Sequence, residues 1–169
     1  MATDEPGEGT LGAAVVTVSS ARSLSADEPG DAIVAAFEEA GHELATRELI
    51  APGFDNVQSV VSRLVGREDV DVVVTTGSTG VGPEDVTLEA VSQFIEKELP
   101  AFSQLFTRLG YEEVGTGVLR ARSLGGVSDG VAIFCLPDDV AATRLAAESI
   151  IVPEAPAIVE QAMDEEDEE

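Results

Sequence analysis

The run Val72-Val73-Val74-Thr75-Thr76-Gly77-Ser78-Thr79-Gly80-Val81-Gly82-Pro83-Glu84-Asp85 constrains this chain more than any other stretch. Three consecutive valines mark a short strand buried on both faces, as in a parallel sheet. A turn rich in hydroxyls and glycines follows, and a carboxylate then sits where a helix begins. Strand, polar turn and helix in that order make a βα unit of an open α/β sheet, in which ligands bind beyond the carboxyl ends of the strands. Glycines let the backbone approach an anion closely, and free N–H groups and hydroxyls then coordinate it. The turn is not a Walker A loop, because no Lys-[Ser/Thr] pair follows, and its glycines fall as GxxGxG rather than as the GxGxxG dinucleotide fingerprint. Read from its residues alone it is either a tight turn without a ligand or an anion site. Two threonines, one serine and three glycines at a strand's carboxyl end favour the site. Asp85 also has two readings: a helix cap, or a carboxylate that meets a phosphate through a bridging divalent cation.

The rest of the chain alternates in the same way. Residues 13–19 predict a first strand, and 21–30 a polar loop with Pro29-Gly30. Asp31 is placed to cap a helix that runs to about Ala40 and ends at Gly41. A second, more polar strand spans 42–50, and Pro52-Gly53 breaks the chain. A helix over 56–65 carries Val57, Val60, Val61 and Leu64 on one face. The third strand covers 70–75. A helix from Asp85 or Thr87 reaches Phe94 or Leu99, and a further one spans 101–109. Residues 115–119 and 131–136 read as strands separated by the glycine-rich segment 124–130. A helix over 140–150 is expected to stop at Pro153, with a short helix over 157–163. The alternation implies a three-layer α/β/α domain on a mostly parallel sheet. It occupies residues 11–163, between an N-terminus (1–10) and an acidic tail (164–169) that are both expected to be disordered.

The net charge is −24. Without the nine acids of residues 1–10 and 164–169, 24 acids face 9 bases, so residues 11–163 still carry −15. Lys97 is the sole lysine. A folded body this acidic suits a salt-loaded, haloarchaeal type of cytoplasm, where molar salt shortens the screening length to about 3 Å. The charge argues against nucleic acid and against anionic membranes, both of which need a basic surface. No apolar run approaches the length of a spanning helix, and the acidic start lacks the apolar core of a signal peptide. A cytoplasmic location is therefore expected. Cys135 is alone in the apolar run 131–136 and reads as a buried, inert thiol. His42 reads as a partner to the end of the first helix rather than as a base or ligand.

Several segments together resemble one family. Thr75-Thr76-Gly77-Ser78-Thr79-Gly80 through Glu84-Asp85-Val86-Thr87-Leu88-Glu89-Ala90 is similar to the pattern T-T-G-G-T-G, spacer, R-D-x-T-P-E-A of the molybdenum-cofactor biosynthesis family of MogA/MoaB type. Val15-Thr17-Val18-Ser19 resembles its first-strand motif, and Gly41-His42 ends the first helix as the family does. Phe102 and Phe106 echo G-F-x-x-x-F/M-R. Tyr111-Glu112-Glu113-Val114-Gly115-Thr116 resembles S-[YF]-E-E-I-G-T, and Arg122 with Gly126-Val127 fits S-R-A-x-x-G-V. The resemblance covers about residues 13–152.

The resemblance implies a molybdopterin-binding α/β domain, a homotrimer or other homo-oligomer, and transfer of AMP from Mg-ATP to the terminal phosphate of molybdopterin. By position, Thr75, Thr76, Gly77, Ser78, Thr79 and Gly80 would line the pterin and phosphate site, with Glu89, Gly115, Thr116 and Arg122 completing it. Asp85 matches an aspartate linked to metal or catalysis, and Asp55 is the nearest match to a second. Mg²⁺ would join two phosphorylated reactants that repel each other and the protein. The chain departs from the pattern at ligand-facing places: Ser78 for glycine, Glu84 for arginine, Leu88 for proline, and Asp138-Asp139 for a glycine and a small polar residue. At Ser78 a Cβ narrows access, or the residue is strained at positive φ. Two functions follow: a working molybdopterin adenylyltransferase whose site leans on cations, or a non-catalytic molybdopterin-binding or assembly paralogue. A pterin-free structural subunit is a third.

Overall fold

Alternation along the strands sets the architecture. The computed structural model describes residues 9–167; residues 1–8 of the N-terminus and 168–169 of the acidic tail lie outside the described residues, while 164–167 continue the last helix. In β1 (Gly12–Val18), Ala13 and Val15 face one layer, while Ala14, Val16 and Val18 face the other, and all five are buried. The same alternation runs through β3 (Val72–Thr76) and β6 (Val131–Leu136). Strands buried on both faces need helices on both, which is the parallel-sheet arrangement.

With β2 (Glu43–Ile50), β4 (Lys97–Glu98) and β5 (Leu124–Ser128), the sheet has six strands in the order β2-β1-β3-β6-β5-β4. The pairs β1–β2, β1–β3 and β3–β6 are parallel; β5–β6 and β4–β5 are antiparallel. One face is covered by α1 (Glu28–Glu39), α4 (Pro100–Val114), α5 (Val140–Ala146) and α6 (Val152–Asp167), through Ile33, Phe37, Phe102, Phe106, Ala146 and Val159. The other is covered by α2 (Phe54–Val65) and α3 (Thr87–Ser92). The face predicted for α2 is the buried one: Val57, Val60, Val61 and Leu64 are all inside. Each such side chain contributes about 1.5–3 kcal/mol by leaving water. The three-layer, mostly parallel α/β fold is therefore as expected.

Several boundaries differ, each for a local reason. Residues 115–119 are not a strand. Gly115, at φ 68°, ends α4, and a 3₁₀ turn runs over Gly115–Arg120. The segment 124–130 is not a spacer but β5 and its turn. Asp129 and Gly130 both have positive φ (51° and 82°) and close a two-residue hairpin in which Ser128 pairs with Val131. Glycines stand in β5 because neighbours press onto the strand: a Cβ on Gly125 would lie 2.9 Å from Cβ of Phe102, and one on Gly126 2.6 Å from Cγ2 of Ile95.

Asp27, not Asp31, caps α1, accepting from N of Gly30 at 3.1 Å, with Pro29 in the first turn. Pro153 does not stop the last helix. A π turn over Ala147–Ile151 shifts the hydrogen-bond pattern ahead of it, and the chain continues into α6.

His42 meets the end of α1 through its main chain, donating from N to O of Phe37 at 3.0 Å. Its Nδ1 accepts from N of Leu11 at 3.1 Å, which ties the ring into the structure. Burial pushes the Cys135 thiol up to about 12, so it stays protonated and inert.

Candidate functional site

The sheet order places the site. From β1 the chain moves to β2 on one side and then returns to β3 on the other, so a crevice opens beyond the carboxyl ends of β1 and β3. A cavity of about 460 Å³ lies there. Its walls come from the segment after β1 (Ser19, Ser20, Ala21), the turn after β3 (Ser78, Thr79, Gly80, Glu84, Asp85), and Pro137 and Asp138 after β6. Arg120 and Ala121 close it from the 3₁₀ turn.

The turn after β3 is held in one shape. Gly77 has φ 111°, and a Cβ there would fall 2.2 Å from O of Val18. N of Gly77 donates to O of Leu136 at 2.9 Å. Ser78 follows at φ 57°, so the serine that departs from the family pattern occupies a left-handed position and carries the strain expected there. Thr87 ties the turn to α3: its Oγ1 donates to O of Gly77 at 3.0 Å and its N to O of Ser78 at 3.2 Å. N of Gly82 donates to Oδ2 of Asp85 at 2.9 Å.

Arg122 clasps the whole loop. Its Nε donates to O of Gly80 at 3.0 Å and to O of Thr79 at 3.2 Å, and its Nη2 donates to O of Asp85 at 2.9 Å. Its Nη1 donates to Oε2 of Glu89 at 2.7 Å. This hydrogen bond holds the Glu89 carboxyl below the usual carboxylate range and raises the Arg122 guanidinium. Arg122 and Glu89 thus shape the loop from outside the cavity instead of lining it.

The side chains are 33% and 50% exposed, so solvent screens the pair, and Arg122→Met is expected to cost about 2 kcal/mol, mainly through the three carbonyls it abandons. Chemical unfolding measures that loss. Because the folded Glu89 pKa is depressed, its share is complete above the unfolded value of about 4.3 and is lost as pH falls through the folded one. The difference between wild type and Arg122→Met is therefore expected to shrink only in that acid range.

The other expected residues are distributed as follows. Ser78, Thr79, Gly80 and Asp85 line the cavity. Thr75 and Thr76 are fully buried in β3 beneath it; Thr76 Oγ1 donates to O of Pro137 at 2.9 Å, and Thr75 is buried beside Cys135. Gly77 supports the turn from below. Asp55 is exposed in the first turn of α2 and does not line the cavity, although nearby Pro52 does. Gly115 and Thr116 lie at the end of α4, away from it.

Sequence reasoning misses Ser20, Ala21, Arg120 and Ala121. The rule that singles out the β3 turn, polar residues at a strand's carboxyl end, applies equally to Ser19-Ser20 after β1 and points to that segment. Arg120 gave no local signal, because the 3₁₀ turn that brings it there had been read as a strand.

Glu84, Asp85 and Asp138 line the cavity as three acidic residues against one basic residue, Arg120. An anion entering alone would be repelled. Among the described residues no group of three or more carboxylates, histidines or cysteines forms a metal cage.

A doubly wound sheet with a polar, switch-point cavity of this size defines a small-molecule-binding α/β domain. Residues 14–157 match the family model described as "Probable molybdopterin binding domain", and the chain belongs to that family. It is 36% identical over 141 residues to molybdenum cofactor biosynthesis protein B of Bacillus cereus, an alignment covering 83% of each chain. A crystal structure of a molybdenum cofactor biosynthesis protein B matches with a TM-score of 0.89 at 32% identity, over 92% of this chain and 98% of that one. The tungsten cofactor synthesizing protein MoaB from Pyrococcus furiosus matches at 0.82 and 28%, over 92% and 99%. The family named from the sequence motifs is thus the family of the chain. No helix among the described residues is long and apolar enough to cross a membrane.

Proposed function

We propose that this protein acts in molybdenum cofactor biosynthesis as a molybdopterin adenylyltransferase, a cytoplasmic homo-oligomer that uses Mg-ATP. The observation that carries the reading is the cavity beyond β1 and β3, where the Ser78–Gly80 turn and the Asp85 carboxylate share one wall. In the reaction an oxygen of the pterin's phosphate attacks the α-phosphorus of ATP, the bond to the β-phosphate oxygen breaks, and pyrophosphate leaves. Such a displacement depends on positioning and on charge neutralisation. The Ser78 and Thr79 hydroxyls and the main chain of the turn bind and orient phosphate oxygens. The Arg122 clasp keeps that turn rigid, so little reorganisation is needed when substrate enters. Asp85, with one oxygen fixed by Gly82, would hold Mg²⁺, which supplies the positive charge that the acidic wall lacks.

One observation favours the non-catalytic reading. Asp138 is occupied by Arg22, whose Nη2 lies 3.0 Å from Oδ1, at a place where the family pattern has small residues. A ligand phosphate there would have to displace that pair.

The test is transfer of AMP from Mg-ATP to molybdopterin in high-salt buffer. Asp85→Ala is expected to lower kcat about a hundredfold while leaving the protein folded and able to bind the pterin. Equally low turnover of wild type and variant, with both binding pterin, would establish the non-catalytic paralogue.

A further inference from the structure

Arg120 is the feature the reading above leaves unused. Five arginines, at positions 22, 47, 63, 67 and 122, are engaged in ion pairs with described carboxylates. Lys97, Arg108, Arg120 and Arg144 are not, among the described residues. Of these four cations Arg120 lines the cavity described above and also a second one. The second cavity, about 600 Å³, shares Arg120, Ala121 and Pro137 with the first. Its other walls are mainly apolar and include Phe106, Val118 and Leu145. The backbone of Arg120 abuts the phosphate turn: a Cβ on Gly80 would lie 3.7 Å from O of Arg120. Its guanidinium folds over Gly117, where a Cβ would lie 3.2 Å from Nη2, so the bare glycine leaves it room.

Glu84, Asp85 and Asp138 line the first cavity together with Arg120, but the Arg120 guanidinium pairs with none of them and lies instead over Gly117, which lines the second cavity. It stands apart from them, at the wall common to both cavities. Glu84, which also lines the first cavity, occupies the position at which the family pattern carries arginine. We infer that the phosphate-binding cation of this site has moved from position 84 to Arg120, which receives the phosphate of a phosphate ester or pyrophosphate at the junction of the two cavities. The inference rests on the phosphate-site reading above but not on adenylyl transfer. A charged donor at this junction can bond two phosphate oxygens at once, which a glutamate at position 84 cannot. The apolar second cavity leaves space for a flat ring attached to that phosphate.

Calorimetric titration of the full chain with inorganic pyrophosphate plus Mg²⁺, and with Mg-ATP, tests this at one fixed KCl concentration. Arg120→Ala is expected to weaken both about tenfold or more, with an unchanged unfolding midpoint because the side chain holds no structural partner. Arg120→Lys retains part of the affinity, and Arg144→Ala, outside both cavities, retains all of it. Adding Glu84→Arg to Arg120→Ala restores binding, because the charge returns to the same cavity. Wild-type affinity in Arg120→Ala, or no recovery in the double variant, overturns the assignment. If pyrophosphate binding depends on Arg120 but no AMP is transferred, the transferase reading falls and Arg120 stands. If Arg120→Ala transfers AMP with unchanged KM for ATP, Arg120 falls and the transferase stands. If wild type binds neither probe, both fall.

Discussion

Replacing Gly77 with alanine is expected to destabilise the protein by about 4 kcal/mol, a loss large enough to bring a typical domain near its unfolding threshold. Two independent costs add. The backbone at φ 111° belongs to a region that residues with a Cβ scarcely populate. The new methyl group would also lie 2.2 Å from O of Val18, an atom fixed in the central strand β1 and unable to yield cheaply. Relief requires β1 and β3 to separate at the cavity's floor, so ligand binding falls together with stability. Urea unfolding gives the first quantity, and Mg-pyrophosphate titration of the folded fraction gives the second. Alanine tolerated within about 1 kcal/mol would mean that the turn is not held in this shape.

The second large effect is expected at Asp27, which is completely buried at the start of α1. Its carboxylate accepts from Oγ1 of Thr17, from N of Gly30 at 3.1 Å and from Nη2 of Arg47 at 3.2 Å. Arg47 in turn reaches Asp31 at 2.7 Å. Asp27→Ala removes the acceptor and leaves a hydroxyl, an amide and a largely buried guanidinium without it. Breaking one side of such a pair costs about 3–5 kcal/mol, more than the pair itself contributes. Asp27→Asn keeps an acceptor oxygen and the N-cap but loses the charge, so its cost is expected to be smaller by about half. Thermal or chemical unfolding of the two variants separates the lost charge from the lost cap. Equal effects would show that the charge alone matters and that the cap adds nothing. The network also explains why α1 starts at Glu28: the first residue able to cap is Asp27, and its partners Thr17 and Arg47 come from β1 and β2, which no local pattern reveals.

What was legible in the sequence follows the range of the forces involved. Val72–Val74 and Val57-Val60-Val61-Leu64 announce their burial by spacing alone, and both are buried as expected. The β3 turn was found because glycines and hydroxyls at a strand's end are a local signature, and Ser78 through Gly80 with Asp85 do reach the cavity. By contrast, Gly125 and Gly126 in β5 are glycines because Phe102 and Ile95 press on them, so the strand lacked the β-branched residues that mark one. The Asp129-Gly130 pair is a strong hairpin signal, but the two glycines of β5 just before it make the segment read as a loop. Arg122 and Glu89 are expected from the motif to bind the ligand, whereas neither lines the cavity and together they clasp the loop from outside it. A motif records that residues act together; it does not record which of them touches the ligand.

The account depends on a phosphate being gripped beyond β3. The most direct measurement is a crystal structure of the full chain soaked with Mg-ATP or with adenylylated molybdopterin. Phosphorus density within hydrogen-bonding distance of Ser78, Thr79 and Gly80, with a metal ion at Asp85, is the predicted result. Ligand density seated against another surface, with the Ser78–Asp85 loop empty and unchanged, would contradict it.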